Sequence, residues 1–237
     1  MSLMLTEIMD ELKALGKDQL KKNYMGQGAI EPLFGVATGA MKPILKRVGK
    51  NQTLAEELFA TENYDAMYLA GMIAEPKKMT SEDFTRWIER AYFHMISDFV
   101  VSVTLAETDI AQEVADGFID SGVDLTMSGG WSCYEWLLGS RKDEEFDSNK
   151  LQKLLRRVEE TIHTQPHYTK QSMNRFVIAV GVSYTPLHDE AMLSAERMGN
   201  VTVLKNGKSI FLNNALERIQ SEVSKGRFGF KRKHVRC

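Results

Sequence analysis

The spacing of apolar residues is the feature that most constrains how this chain folds. Trp87 and Ile88 lie three and four positions after Phe84, and the same spacing recurs in many segments. This is the period of an amphipathic helix rather than the alternation of a strand. Because the 237 residues include only 5 prolines and the breaks are short and polar, the pattern predicts an all-α protein. We expect about ten helices, joined by connections typical of antiparallel neighbours.

Capping residues predict where several helices begin. The run Thr80-Ser81-Glu82-Asp83 predicts a helix start, and Thr53 with Glu56 is typical of a capping box. Asp147 or Ser148 can cap a further helix that ends near residues 163–166.

The segment 201–212 departs from the helical period. It has β-branched and apolar residues on both sides of Asn206-Gly207, which is the strongest short-range signal for a β-hairpin. A small β-ribbon and an irregular loop both stay open here.

Successive helix pairs of roughly 35–40 residues indicate either a helical-repeat solenoid or a closed bundle. We expect residues 1–200 to form a helical-repeat domain. The hairpin, helix and basic tail of residues 201–237 are expected to pack on that same domain.

Other features exclude several classes of protein. Cys133 and Cys237 are the only cysteines and histidines are scarce, so neither a disulfide framework nor a zinc site is expected. The sequence has no phosphate-binding loop, nucleophile elbow or run of roughly 18 apolar residues, and we expect no signal peptide. We therefore expect a cytoplasmic monomer that needs no membrane, metal or cofactor.

Charge is distributed unevenly along the chain. The formal net charge of −2 is unlike that of strongly basic nucleic-acid binders. Residues 221–237, however, carry six lysines and arginines against Glu222, a net of +5, which leaves −7 for residues 1–220. An anionic partner is therefore expected to prefer the C-terminal end.

Five stretches, taken in order, resemble the DNA alkylation repair family, whose members have HEAT-like repeats and include alkylpurine DNA glycosylases. These stretches are residues 41–46, 64–80, Trp87 with residues 96–101, 173–181 and 226–233. The resemblance implies antiparallel helix pairs stacked in a right-handed superhelix, with a concave face that holds duplex DNA.

The resemblance also implies where catalysis would occur. Glycosylase members carry an Asp four residues after a Trp, and a second Trp on a later helix. The carboxylate and the rings stabilise the cationic sugar as the alkylated base departs. In this chain the position of the first Trp is occupied by Ser97 or Asp98, and that of the Asp by Val101 or Ser102. The position of the second Trp is occupied by Phe176.

Two residues keep a catalytic hypothesis open. Asp98 can supply the carboxylate from almost a full helical turn away, with Phe176 as an aromatic wall. Ala179, however, stands where active members carry an Arg, and the Trp and Asp positions are both replaced. These departures argue against glycosylase activity.

Basic residues supply the DNA-binding hypothesis. Lys170 and Asn174 are i, i+4 neighbours that can approach phosphate together, with Arg175 beside them; the alternative is a solvated helix face. The C-terminal cluster consists of Lys225, Arg227, Lys231, Arg232, Lys233 and Arg236. This cluster either binds an anion or lies along acidic groups of its own body, and its glycines favour flexibility.

Aromatic residues accompany these charges. Trp131 and Trp136 lie five residues apart, so they point to different faces of a helix, and both core packing and base stacking account for them. The two phenylalanines of the basic tail either dock the tail or stack on bases.

Three functions follow from the sequence. The leading hypothesis is a member of the DNA alkylation repair family that binds duplex or distorted DNA. The second is an active glycosylase that uses Asp98 and Phe176 on cationic N-alkylpurines. The third is a scaffold for protein partners, since helical solenoids present extended concave surfaces. Lysine and arginine on the walls of a groove would favour DNA, and a neutral or acidic groove would favour the scaffold.

Overall fold

Helices dominate the computed structural model, which describes residues 2–205 and 208–236. The α-helices are α1 (Leu3–Leu15), α2 (Asp18–Gly26), α3 (Lys42–Val48), α4 (Gln52–Phe59), α5 (Tyr64–Ile73), α6 (Ser81–Glu89), α7 (His94–Ile96), α8 (Ser102–Ala106), α9 (Ala111–Ile119), α10 (Asp124–Leu138), α11 (Ser148–Thr161), α12 (His167–Ser183), α13 (His188–Met198) and α14 (Ala215–Ser224). A π-helical turn (Ser97–Val101) joins α7 to α8. Short 3-10 turns cover Thr38–Met41, Pro76–Lys78, Asp143–Glu145, Ile162–Thr164 and Thr185–Leu187. The all-α prediction is confirmed.

Two helix starts agree with the capping prediction and one does not. Thr80 and Asp83 form a reciprocal capping box at α6, and the Asp147 carboxylate caps α11. At α4 the prediction of Thr53 is wrong, because the Asn51 side chain accepts from the Leu54 N–H and the helix begins at Gln52.

The chain divides into two compact units, one ending at Ile110 and the other beginning at Ala111. The domain boundary predicted at residue 200 divides the chain differently and stays a prediction. In the described ranges, no helix combines the length and apolar character needed to cross a membrane.

In unit 1, α4 packs against α5. The Phe59 and Trp87 rings stack with centroids 4.1 Å apart, and the Trp87 Nε1–H donates to the Glu56 carboxylate at 3.0 Å. The buried Asp65 carboxylate accepts three backbone N–H groups from residues 34–36, so it fixes the segment that leads from α2 to α3.

In unit 2, α12 is the central helix and packs against α10, α13 and α14. Gly130 lets α10 approach α9 closely, since a Cβ there would lie 2.7 Å from the Ala115 carbonyl oxygen. The Asp124 carboxylate at the start of α10 accepts the backbone N–H groups of Tyr168 and Thr169. The first turns of α10 and α12 are therefore held together.

Of the two alternatives left open for residues 201–212, the structure has the β-ribbon. Strands β1 (Thr202–Lys205) and β2 (Lys208–Phe211) pair in antiparallel register, with Val203 opposite Ile210. The predicted Asn206-Gly207 turn lies outside the described residues.

Candidate nucleic-acid interface

A cleft of about 650 Å³ in unit 2 gathers arginines from three parts of the chain. It is bordered by α10, α12, α14 and residues 225–236, which we call the C-terminal strap. Its charged lining residues are Arg175, Arg218, Arg227, Arg232, Glu135 and Glu222. Four guanidinium groups against two carboxylates give a net charge of +2, and we call this cleft the arginine cleft.

One face of α12 forms the floor of the arginine cleft. Gln171, Arg175, Ile178 and Val182 recur at three- and four-residue intervals, so their side chains lie along the same side of the helix. Ala179 also lines the floor. The floor therefore changes from polar to apolar along the helix.

Two predicted residues of α12 are held by hydrogen bonds. The Arg175 guanidinium donates from Nε to Glu135 Oε2 and from Nη2 to Ser132 Oγ, each at 2.8 Å. The Asn174 amide is buried and donates to the Asn213 carbonyl at 3.0 Å. Arg175 is thus oriented across α10, while Asn174 ties α12 to the segment that precedes α14.

Glu222 is the centre of the charge pattern in the arginine cleft. Its carboxylate pairs with Arg218 at 3.0 Å, Lys225 at 3.2 Å and Arg227 at 2.6 Å, and its side chain is only 8% exposed. The hydrogen bonds from Arg227, and then from Lys225, hold the pKa of Glu222 below its ordinary value. The carboxylate is therefore ionised at neutral pH and neutralises part of the surrounding positive charge.

The C-terminal strap lies against unit 2 rather than extending away from it. The backbone N–H of Gly229 donates to the Val182 carbonyl at 2.8 Å, and that of Arg232 donates to the Gly139 carbonyl at 2.7 Å. The Lys231 ammonium lies 2.8 Å from both the Leu138 carbonyl and Asp143 Oδ1. Burial raises the pKa of Asp143, but hydrogen bonds from Lys231 and Thr185 lower it by a larger amount. The pKa of Asp143 therefore lies below its ordinary value.

The aromatic residues of unit 2 separate into a buried and an accessible group. Trp131 is buried and packs on Phe176, with ring centroids 5.1 Å apart. Trp136 is half-buried beneath the Arg232 guanidinium, which lies 4.8 Å from the ring centroid. On the C-terminal strap, Phe228 packs edge-on against His188, whereas Phe230 lines the arginine cleft.

The structure brings together only part of the predicted site. Asn174, Arg175, Arg227 and Arg232 line the arginine cleft, and Lys225 reaches it through Glu222. The residues that do not line it are Lys170, Lys231, Lys233, Arg236, Trp131, Trp136 and Phe176. The sequence analysis did not identify Arg218. Its i, i+4 spacing from Glu222 on α14 was a signal for the ion pair that these two side chains form.

The predicted catalytic residues are both buried. Asp98 belongs to unit 1, lies in the π-helical turn with 1% exposure, and accepts the Ser97 hydroxyl at 2.9 Å. Phe176 belongs to unit 2 and is fully covered. In the part of the chain that the structure describes, no three His, Cys, Asp or Glu side chains are grouped to hold a metal ion.

Comparison with known proteins identifies the family. The family described as DNA alkylation repair enzyme matches residues 8–210. The chain belongs to the DNA alkylation repair family. The resemblance inferred from the sequence is thereby confirmed.

Two relatives extend the comparison. An uncharacterized protein of Listeria monocytogenes is 31% identical over 199 residues, covering 81% of this chain and 85% of its own. An uncharacterized protein of Listeria innocua is 30% identical over 216 residues, covering 89% of this chain and 93% of its own.

A solved structure is more similar, with 56% identity, a TM-score of 0.94, and coverage of 98% of this chain and 99% of that chain. It is described as belonging to a new family of proteins related to the HEAT-like repeat DNA glycosylases, with affinity for branched DNA structures. This likeness confirms the HEAT-like fold class predicted for this member of the DNA alkylation repair family.

Proposed function

We propose that this protein binds branched DNA through the arginine cleft of unit 2, without excising bases. The observation that carries the proposal is the convergence of Arg175, Arg218, Arg227 and Arg232 on one cleft. Arginine contacts phosphate oxygens through a planar set of donors, and such contacts dominate DNA affinity. The affinity of the 56% identical protein for branched DNA supports the choice of DNA shape.

The charge of the cleft also separates DNA binding from the scaffold alternative. The side chains that line the arginine cleft carry a net charge of +2, whereas the whole chain carries a net charge of −2. A protein partner recognised by a mostly acidic surface would not need this local reversal of sign. The arginine-lined walls therefore favour an anionic polymer.

The absence of excision is supported by the surroundings of the candidate catalytic residues. Asp98 is 1% exposed and Phe176 is fully covered, whereas a carboxylate that stabilises a sugar cation must reach the sugar. We expect the wild-type protein to release no base above background from methylated DNA. Release that is lost in Asp98→Asn would establish the glycosylase alternative instead.

The binding proposal is tested by fluorescence anisotropy with a labelled forked duplex and a linear duplex of the same length, at increasing salt. We expect tighter binding to the forked duplex and an affinity that falls steeply with salt, since each neutralised phosphate contributes about 0.9 to the log–log slope. Arg175→Ala is expected to reduce that slope by about 1. Failure to bind either DNA at low salt, or an affinity indifferent to salt, would overturn the proposal.

A further inference from the structure

We propose that the arginine cleft receives one unpaired nucleotide of a DNA strand, with the Phe230 ring stacked on its base and the cleft arginines around its phosphate. This inference rests on the proposed function and assigns the part of branched DNA that the cleft recognises. It also gives a physical origin for a preference for branched over continuous DNA.

The Phe230 ring is an exposed aromatic surface at the arginine cleft. It lines the cleft and is 58% exposed, in a chain whose other large apolar side chains are mostly buried. Aromatic faces bind nucleobases with little regard to sequence, because every base has a π face. The ring therefore supplies a stacking surface beside the phosphate-binding groups.

The backbone of the C-terminal strap holds this ring in place. Gly229 is fixed to Val182 on one side of Phe230, and Arg232 is fixed to Gly139 on the other. The Phe230 N–H itself donates to the Arg227 carbonyl at 3.1 Å. A ring presented by an anchored backbone loses less freedom on binding than one on a loose tail.

The dimensions and lining of the cleft fit a nucleotide. A volume of about 650 Å³ lies within the range of about 300–1,000 Å³ typical of sites for small organic ligands. Ile178, Ala179 and Val182 give an apolar floor for a sugar or base edge. Arg218 and Arg227 each keep further N–H donors beyond those that pair with Glu222.

A base inside a continuous duplex has both faces covered by its neighbours. Only an unpaired nucleotide, at a fork or a flap, presents a face to which Phe230 can stack. The two parts of the site therefore make different contributions: the arginines bind any DNA, and the ring discriminates in favour of DNA with unpaired bases.

The test compares Phe230→Ala with Phe228→Ala on a linear duplex and on a forked duplex with unpaired arms. Phe228 is a matched control, because it is 49% exposed on the same strap but packs on His188 instead of lining the cleft. We expect Phe230→Ala to weaken fork binding by about 5- to 100-fold and to change duplex binding less than about twofold. We expect Phe228→Ala to keep the fork preference and Phe230→Trp to restore it.

A second readout observes the stack directly. 2-Aminopurine placed in the unpaired arm next to the branch is expected to lose fluorescence on binding wild type but not Phe230→Ala. Wild type that binds neither DNA would overturn the proposed function together with this inference. Wild type that prefers the fork while Phe230→Ala keeps the same preference and the same quenching would overturn this inference alone.

Discussion

At the scale of single residues, two buried carboxylates organise the structure in different ways. Asp65 serves only the backbone of unit 1, since it accepts N–H groups from Phe34 at 2.6 Å, Gly35 at 3.0 Å and Val36 at 2.8 Å. Glu222 instead pairs with basic side chains at the arginine cleft. Removing the first should change stability, and removing the second should change DNA binding.

Asp65→Ala is expected to lower the free energy of unfolding by about 3–5 kcal/mol, because three backbone donors lose their acceptor in a largely buried site. The measurement is urea unfolding followed by circular dichroism. Asp10→Ala, which removes an exposed carboxylate of α1, is the matched control and should leave the midpoint nearly unchanged. Equal midpoints for both variants would contradict the role given to Asp65.

Glu222→Gln is expected to strengthen DNA binding severalfold at low salt. The substitution removes the charge that neutralises Arg218, Lys225 and Arg227, so more positive charge faces the phosphates and the salt dependence steepens. Glu217→Gln removes the same charge from an exposed position of α14 outside the cleft. Anisotropy titrations in which the two variants gain equally would assign the gain to net charge alone.

At the scale of elements, unit 2 depends on close helix approach and on a strap fastened at several points. The Gly130 backbone lies against α9, and Gly181 lies against Ile219 of α14. Neither contact can be predicted from the spacing of apolar residues. That spacing shows which face of a helix is buried but not how close the neighbouring helix lies.

Gly130→Ala is expected to destabilise unit 2 by about 1–3 kcal/mol, because the new Cβ would meet backbone atoms of α9 that cannot rotate away. Gly117→Ala is the opposite case, since its Cβ would enter open space on the exposed face of α9. That change should stabilise by about 0.5–1 kcal/mol through helix propensity. Thermal unfolding should move the two variants in opposite directions.

The C-terminal strap is expected to detach in acid. Burial raises the pKa of Asp143, but hydrogen bonds from Lys231 of the strap and from Thr185 outweigh it, so this pKa lies below its ordinary value. A lowered pKa means that the contact is fully formed above the ordinary value and is lost as the pH falls through the lowered one. Trp136 fluorescence should therefore change below about pH 4 while far-ultraviolet circular dichroism stays constant, and Asp143→Asn should alter the transition.

The sequence was sufficient for features that depend on near neighbours and insufficient for those that depend on distant ones. The α6 capping box and the hairpin pairing follow from residues within a few positions. By contrast, Lys231 contacts Leu138 across 93 positions, and no local pattern encodes that contact. The helical period placed Trp131 and Trp136 on different faces, but which of them was buried depended on Phe176 and Arg232.

At the scale of the whole molecule, the net charge conceals a reversal of sign at the C-terminus. The basic residues of the C-terminal strap lie on unit 2, where two of them, Arg227 and Arg232, enter the arginine cleft. Because the rest of the chain is acidic, the proposed function requires DNA to approach against the overall field and to be attracted only locally. The affinity for DNA should therefore depend strongly on the C-terminal strap, although the strap is short.

Deleting residues 226–237 is expected to reduce affinity for branched DNA at least tenfold and to lower the salt slope by about 2. The deletion removes Arg227 and Arg232, leaving two arginines against two glutamates in the cleft, and takes the net charge of the chain from −2 to −7. Deleting only residues 234–237 removes one arginine outside the cleft and should change the slope by at most about 1. Circular dichroism checks that both proteins fold, and an unchanged slope in the longer deletion would contradict a cleft-centred interface.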